Sequence, residues 1–420
     1  MTTQNNDLTG FLMQIGAKLK KAGLVHLTLD DEPMPDRRLL HHGGTSLVNF
    51  TSCNYIGLEA DERLKKAAIE GIEKYGVQYY CVRTYTSLHP YEELEGMMKQ
   101  IFGYPSVVMP TTMLGHMAVL PTIITDKDAV ILDQQVHTSV QMTAKLLKGS
   151  GVYLEKIRHN RMDYLENRIQ KLKADYNRVW YLADGVYSMF GNVAPFQQLY
   201  DLLNQYEQFN LYIDDSHGMS WTGKHGAGAA LDAIPFHERM VLVTSLGKAF
   251  GATGGVAVFH DQATRDMVRT LGKPLLFTGP IQPAILCAAV ESAKIHLSDE
   301  IIGLQGRIKA KIAYFEQKAA SLNLPMVGHD GTPIFFLAVG DFDFAIKLVR
   351  GLVDAGYFAC LACYPGVPIE NTGIRFLLTM QHTEQDIDGV LEKTAELMSM
   401  LMFTEGYSME KIYAAFEMPH

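Results

Sequence analysis

An α/β fold is predicted, with a larger domain on a mainly parallel sheet followed by a smaller α+β domain, from two features of the sequence. Between about residues 55 and 290, short β-rich runs alternate with helical patterns, and the runs are almost continuously apolar. Strands covered by helices on both faces read this way, because neither face meets water. Beyond Gln282 and Pro283 comes a long helical stretch, then three further β-runs separated by helices. The expected division is an N-terminal segment over 1–54, a larger domain over 55–290 and a smaller one over 291–420. A chain of 420 residues, 47% of them apolar, has ample material for such cores.

The N-terminal segment carries an amphipathic helix. Phe11, Leu12, Ile15 and Leu19 recur at helical spacing, with Lys18, Lys20 and Lys21 near the end. Packing against a neighbour explains this face better than a membrane surface, since so few charges give marginal membrane affinity. In the larger domain the strands are read from SVVMP, AVILDQ, VWYLADGV, LYIDDSH, MVLVTSLGK and GGVAVFH. In the smaller domain they are read from IFFLAVG, YFACLACYP and IRFLLTMQH. The last helix is expected to begin at Thr383, with Asp386 completing a capping box. Met398, Met400 and Met402 in its tail read as core or subunit-contact residues.

Composition excludes several function classes. No apolar run reaches the roughly eighteen residues needed to cross a bilayer, and MTTQNNDLTG lacks a signal peptide's regions, so a cytoplasmic enzyme is expected. A formal net charge of -9 opposes a broad nucleic-acid footprint. Cys53, Cys81, Cys287, Cys360 and Cys363 are scattered and read as reduced thiols. Cys360 and Cys363 form a CxxC pair, but an apolar setting without further ligands favours a buried strand over zinc or redox chemistry. His41-His42 also lacks partners at suitable spacing, and no metal is expected.

In an open parallel sheet, ligands collect at the carboxyl ends of strands, so polar residues there deserve scrutiny. After LYI come Asp214, Asp215, Ser216, His217 and Gly218, and after VLV come Thr244, Ser245, Leu246, Gly247 and Lys248. A buried amine such as Lys248 is suited to form an imine with an aldehyde cofactor. Asp214 could keep a pyridine nitrogen protonated, and His217 could reach a phenolic oxygen. Pro110, Thr111, Thr112, Met113 and Leu114 follow a strand and open a helix, which suits a phosphate. Ser245 and Thr278 are further phosphate-side candidates. Singly, each has an ordinary explanation as a surface charge, a capped loop or an N-cap. Their joint order, phosphate turn, histidine, polar turn, Asp-x-x-His, then lysine, is what chance seldom supplies.

That order resembles the α-oxoamine synthase family of fold-type I pyridoxal-phosphate (PLP) enzymes. The resemblance runs through FTSCNYIGLEAD from Phe50, VHTSV around His137, DGVYSMFGNVAPF from Asp184, DDSHGMSWTGKHGAG from Asp214, TSLGKAFGATGG from Thr244 and GIRFLLTMQHTEQDID from Gly373. It implies a mainly parallel seven-stranded sheet, a homodimer with shared active sites, and PLP held as a Schiff base on Lys248. It further implies that His137 stacks on the ring, that Ser188 and His217 contact the phenolic oxygen, and that Asp214 pairs with the ring nitrogen. Arg375 would grip the substrate carboxylate and Asn54 would line the substrate side. The implied reaction is decarboxylative condensation of an α-amino acid with an acyl-CoA to give an α-amino ketone, with His217 or His137 able to polarise the acyl carbonyl.

The chain departs from the family pattern at several positions. Gln78 and Ser87 stand where glycines are usual, Asp184 replaces a glutamate, Phe190 and Asn192 replace acidic residues, and the threonine expected near Phe277, Thr278, Gly279 and Pro280 is shifted or lost. These differences bear on the donor more than on the cofactor. Alternatives are an aminotransferase or lyase on the same fold, or a non-catalytic homologue. A serine hydrolase on Ser216 and His217 fares poorly, because adjacent residues do not adopt nucleophile–base geometry easily and no GxSxG turn is present.

Overall fold

The computed structural model describes residues 2–34 and 37–418. After the helix Thr2–Lys21 come β1 (Leu39–His42) and β2 (Thr45–Phe50), then β3 (Ser106–Met109), β4 (Ala129–Asp133), β5 (Tyr153–Ile157), β6 (Val179–Asp184), β7 (Phe209–Asp214), β8 (Met240–Ser245) and β9 (Gly255–Phe259). The chain continues with β10 (Met326–Val327), β11 (Ile334–Gly340), β12 (Tyr357–Ala362) and β13 (Thr372–Leu377). Backbone contacts divide it into two compact units. One contains Ile56–Ser188 with Asn192–Gly306; the other contains the N-terminal residues through Tyr55, Met189–Gly191 and everything from Arg307 onward.

The larger unit holds a seven-stranded sheet in the order β3-β9-β8-β7-β6-β4-β5. Strands β8, β7, β6, β4 and β5 pair in parallel, and β9 runs antiparallel to both β8 and β3. The central strands are buried along their whole length, as continuous apolar runs require. Val107, Val119, Ile123, Val130, Leu132, Val241 and Val243 contribute to one of its cores. At the edge, β5 is only partly buried, and an Arg168–Glu155 ion pair at 2.7 Å covers it with charge.

The smaller unit holds a six-stranded sheet in the order β1-β2-β12-β13-β11-β10. The β1–β2 hairpin joins it through parallel pairing of β2 with β12, where Val48 faces Tyr357. Phe190, a departure from the family pattern, packs on Phe336 with ring centroids 4.6 Å apart. Gly191 is needed beside it. Its φ is +74° and an added Cβ would fall 2.2 Å from the Ile334 carbonyl oxygen. The helix Glu384–Glu405 opens with the capping box, Thr383 and Asp386 each bonding the other's backbone N–H. Near the N-terminus, Leu19 is buried, while Lys18 pairs with Asp343 at 2.8 Å. Among the described residues, no helix is long and apolar enough to cross a membrane.

Each unit buries a neutral histidine whose two nitrogens are both satisfied. In the larger, His296 Nδ1 donates to the Ser292 carbonyl at 2.8 Å and Nε2 accepts from Ser220 at 2.8 Å. In the smaller, His382 Nε2 donates to the Asn49 carbonyl at 2.9 Å and Nδ1 accepts from the Thr379 N–H at 3.0 Å. Burial pushes both imidazoles down to about 4. Unfolded histidines take a proton near pH 6.5, so the unfolded chain binds more protons as the pH falls from there towards the folded value. Stability is therefore expected to drop across that window by about 3 kcal/mol per histidine when it is fully traversed. Urea midpoints compared at about pH 7.5 and pH 5 check this, and an unchanged midpoint would contradict it.

Candidate active site

The carboxyl ends of β6, β7 and β8 lie side by side, with Asp184 opposite Asp214 and Asp214 opposite Val243. The turns leaving these strands, together with the start of the helix Thr112–Ile123, enclose a cavity of about 200 Å³. Thr112, Met113, His137, Asp214, His217, Ser245 and Lys248, all singled out from sequence, line it. Ser139, Val186 and Ser216 line it as well, as does Asp184, which the sequence marked only as a departure.

Asp214 is almost wholly buried. Its Oδ1 accepts from the Ser216 N–H at 3.1 Å and from the Ser216 hydroxyl at 2.5 Å, while its Oδ2 pairs with His116 Nε2 at 3.0 Å. Burial alone would raise this carboxyl. His116, Lys248 and the Ser216 hydroxyl instead hold it well below the usual carboxylate range. Ser216 thus serves Asp214, which disposes of it as a nucleophile.

Asp184 goes the other way. Burial, and then the charge of Asp214 beside it, push its carboxyl well above the ordinary value. Its Oδ1 accepts the backbone N–H of His137 at 3.0 Å, which anchors that residue as the N-cap of the helix Thr138–Gly149. His137 Nδ1 accepts from the Ser139 N–H at 3.3 Å and lies 2.7 Å from the Ser139 hydroxyl. Burial lowers the imidazole's pKa, leaving a neutral ring oriented at the cavity wall. Two neighbouring carboxyls pushed in opposite directions, with a flat ring nearby, are a common mark of tuned sites.

Lys248 is half-buried in the turn after β8, where its carbonyl accepts from the Gly251 N–H at 2.9 Å. Ser245 holds that turn by accepting from the Gly247 N–H at 3.0 Å. Asp215, next to Asp214, points away into a glycine-lined space, and an added Cβ on Gly218 would lie 2.1 Å from its Oδ1. Burial pushes this carboxyl up to about 7.

Other expected residues do not line this cavity. Ser188 is half-buried, two residues beyond Val186. The Thr278 hydroxyl donates to the Pro274 carbonyl at 2.6 Å. Arg375 lies in β13 of the smaller unit, 4.0 Å from Cys53 Sγ, and its buried Nε lacks a hydrogen-bond partner. Asn54 belongs to the same unit and donates its backbone N–H to Ser52 Oγ at 3.2 Å. His116 was missed altogether, because a histidine inside the apolar stretch after LG reads as core.

A family model described as aminotransferase class I and II matches residues 45–393. The chain belongs to this family. Among curated relatives of the family, 8-amino-7-oxononanoate synthase of Thermoanaerobacter pseudethanolicus is 31% identical over 91% of this chain and 95% of that protein. The enzyme of the same name from Thermosipho melanesiensis is 31% identical over 83% and 88%. These relatives put the chain among the α-oxoamine synthases of the family. Serine palmitoyltransferase from S. paucimobilis superposes with a TM-score of 0.86 at 20% identity, over 95% of this chain and 99% of that one. 8-Amino-7-oxononanoate synthase from Francisella tularensis gives 0.71 at 22%, over 84% and 98%. The likeness establishes the fold-type I architecture.

PLP is the cofactor of this fold family, and the residues present fit it. The cavity offers an amine on Lys248, a buried carboxylate kept ionised on Asp214 and a neutral ring on His137. Thr112 and Met113 open a helix, whose first N–H groups lack internal acceptors and favour a phosphate. Gly255 lets that helix start approach closely, since an added Cβ would sit 2.8 Å from Thr112 Cα.

Proposed function

We propose that this enzyme condenses an α-amino acid with an acyl-CoA thioester, releasing carbon dioxide and free CoA and forming an α-amino ketone. The observation that carries the reading is the single cavity shared by Lys248, Asp214, His217 and His137, in a chain similar over nearly its whole length to 8-amino-7-oxononanoate synthases. When bound, PLP supplies an electron-poor ring that takes up negative charge from the amino acid's α-carbon. Asp214 would pair with its ring nitrogen, His137 would stack on it, and Ser188 and His217 would bond its phenolic oxygen. Thr112, Met113 and Ser245 would hold the phosphate. Lys248 would hold the cofactor through Nζ and, as a free amine, would take the substrate's α-proton there. Arg375 would bind the substrate carboxylate, a role its unpartnered Nε suits, and Asn54 would line the substrate side.

The enzyme is read as a cytoplasmic homodimer with shared active sites. Support for the dimer comes from the exposure of four large apolar side chains, Val77, Tyr80, Tyr85 and Phe277. Gly279 lies under Tyr80, 2.9 Å from its ring when a Cβ is added, so the segments of Gln78 and Gly279 pack together there. In such a dimer Thr278 would be a phosphate-side residue, its hydroxyl leaving the Pro274 carbonyl to which it now donates.

The test is thiol release from acyl-CoA by the purified holoenzyme across a panel of amino acids. Free thiol is expected only when both substrates are present, with one carbon dioxide per thiol. Amination of a keto acid without thiol release would overturn the condensation and install the aminotransferase reading.

A further inference from the structure

His116 lies one turn into the helix Thr112–Ile123, whose beginning borders the cavity. Gly115 before it lets the helix approach the sheet, since an added Cβ would meet Met109 Cε at 2.7 Å. Tyr212 and Asp214 stand two residues apart on β7 and so project from one face of the sheet, with His116 between them. The Tyr212 hydroxyl lies 2.7 Å from His116 Nδ1, and His116 Nε2 lies 3.0 Å from Asp214 Oδ2. His116 and Tyr212 are completely buried. Burial holds the Tyr212 phenol well above its ordinary value, so it remains a donor. An ionised carboxylate only accepts, so Nε2 carries a proton aimed at Asp214, and Nδ1 meets the Tyr212 hydroxyl. The result is a directed chain from phenol to imidazole to carboxylate.

We infer that His116, oriented by Tyr212, is a positioning residue that fixes Asp214 as an anion with Oδ2 in place, and thereby keeps the cofactor's ring nitrogen protonated. A structural histidine needs only two partners of any kind. Here the second partner is the one carboxylate whose charge the cofactor chemistry requires, and Ser216 occupies its other oxygen, leaving His116 to govern Oδ2. The inference rests on Asp214 pairing with the ring nitrogen, as proposed above.

The test reads the cofactor directly. Holoenzyme is prepared with PLP labelled with 15N in the ring, and the ring-nitrogen shift is recorded for the parent chain, His116→Phe, His116→Gln and Tyr212→Phe, with the pH midpoint of the visible absorbance band alongside. The parent should show a protonated ring nitrogen. His116→Phe, which keeps ring bulk and loses the donor, should move the shift towards unprotonated pyridine. His116→Gln, which restores a donor to Oδ2, should return it, and Tyr212→Phe should cause a smaller displacement in the same direction. If His116→Phe fails to fold or bind PLP, Tyr212→Phe decides, because a purely structural role would lower its melting temperature and leave the nitrogen shift and the absorbance midpoint unmoved. A parent spectrum with an unprotonated ring nitrogen would instead overturn the Asp214 pairing itself. A protonated nitrogen unmoved in both His116→Phe and Tyr212→Phe would overturn only the role of His116.

Discussion

Lys248→Ala is expected to lose covalent attachment of the cofactor and to lower turnover by about 10²–10⁴-fold or more. On the proposed reading two functions would disappear together, the amine that holds the cofactor and the base that receives the α-proton. The substitution is mild structurally, since Lys248 is half-buried in a turn held by Ser245 and by its own carbonyl. After borohydride treatment, intact mass should show a cofactor adduct on the parent and none on the variant. Lys248→Arg separates charge from chemistry. It keeps a cation near Asp214 and Asp184 but supplies no amine of usable basicity, so it should behave like alanine. An adduct persisting in Lys248→Ala would assign the attachment to another lysine.

Asp214→Asn is expected to leave the cofactor attached while lowering turnover by about 10²–10³-fold. The side chain keeps its shape, and the Ser216 N–H can still be received, but the buried negative charge is gone. With its one oxygen still on Ser216, the amide turns a donor NH2 towards His116 Nε2, where a carboxylate oxygen now sits 3.0 Å away. A second consequence concerns Asp184. Its carboxyl is raised by burial first and by the Asp214 charge second, so the variant should bring it back down. The rate profile against pH should therefore change shape as well as height. Equal kcat and an identical pH profile in variant and parent would show that Asp214 does not act on the cofactor.

The site was largely legible where it follows the rule that polar residues ending a buried strand have a reason to be there. Asp214, His217, Ser245 and Lys248 were visible on that ground, and they meet in one cavity. His116 was hidden because its signal is the absence of a partner in sequence. Only the three-dimensional packing of a helix on β7 shows that its neighbours are Tyr212 and Asp214. Thr278 was readable as a phosphate ligand, yet its hydroxyl closes the end of its own short helix. In the fold, the β-runs of the larger unit were recognisable from their apolar continuity, whereas β5, YLEKI, was not, because an edge strand half open to water alternates in character. The hairpin of β1 and β2 escaped for a related reason. Its place in a sheet depends on a strand near the opposite end of the chain.

That distant pairing sets an order of assembly during synthesis. Every residue lining the cofactor cavity lies before β9, and β9 completes the larger sheet by bridging β3 to β8. The parallel partner of β2 emerges only with β12, so the first-made strands spend most of translation without their neighbour. A ribosome-bound chain ending shortly after the helix Pro283–Leu297 would thus already contain the whole cavity lining, while its oldest segment still awaited its place.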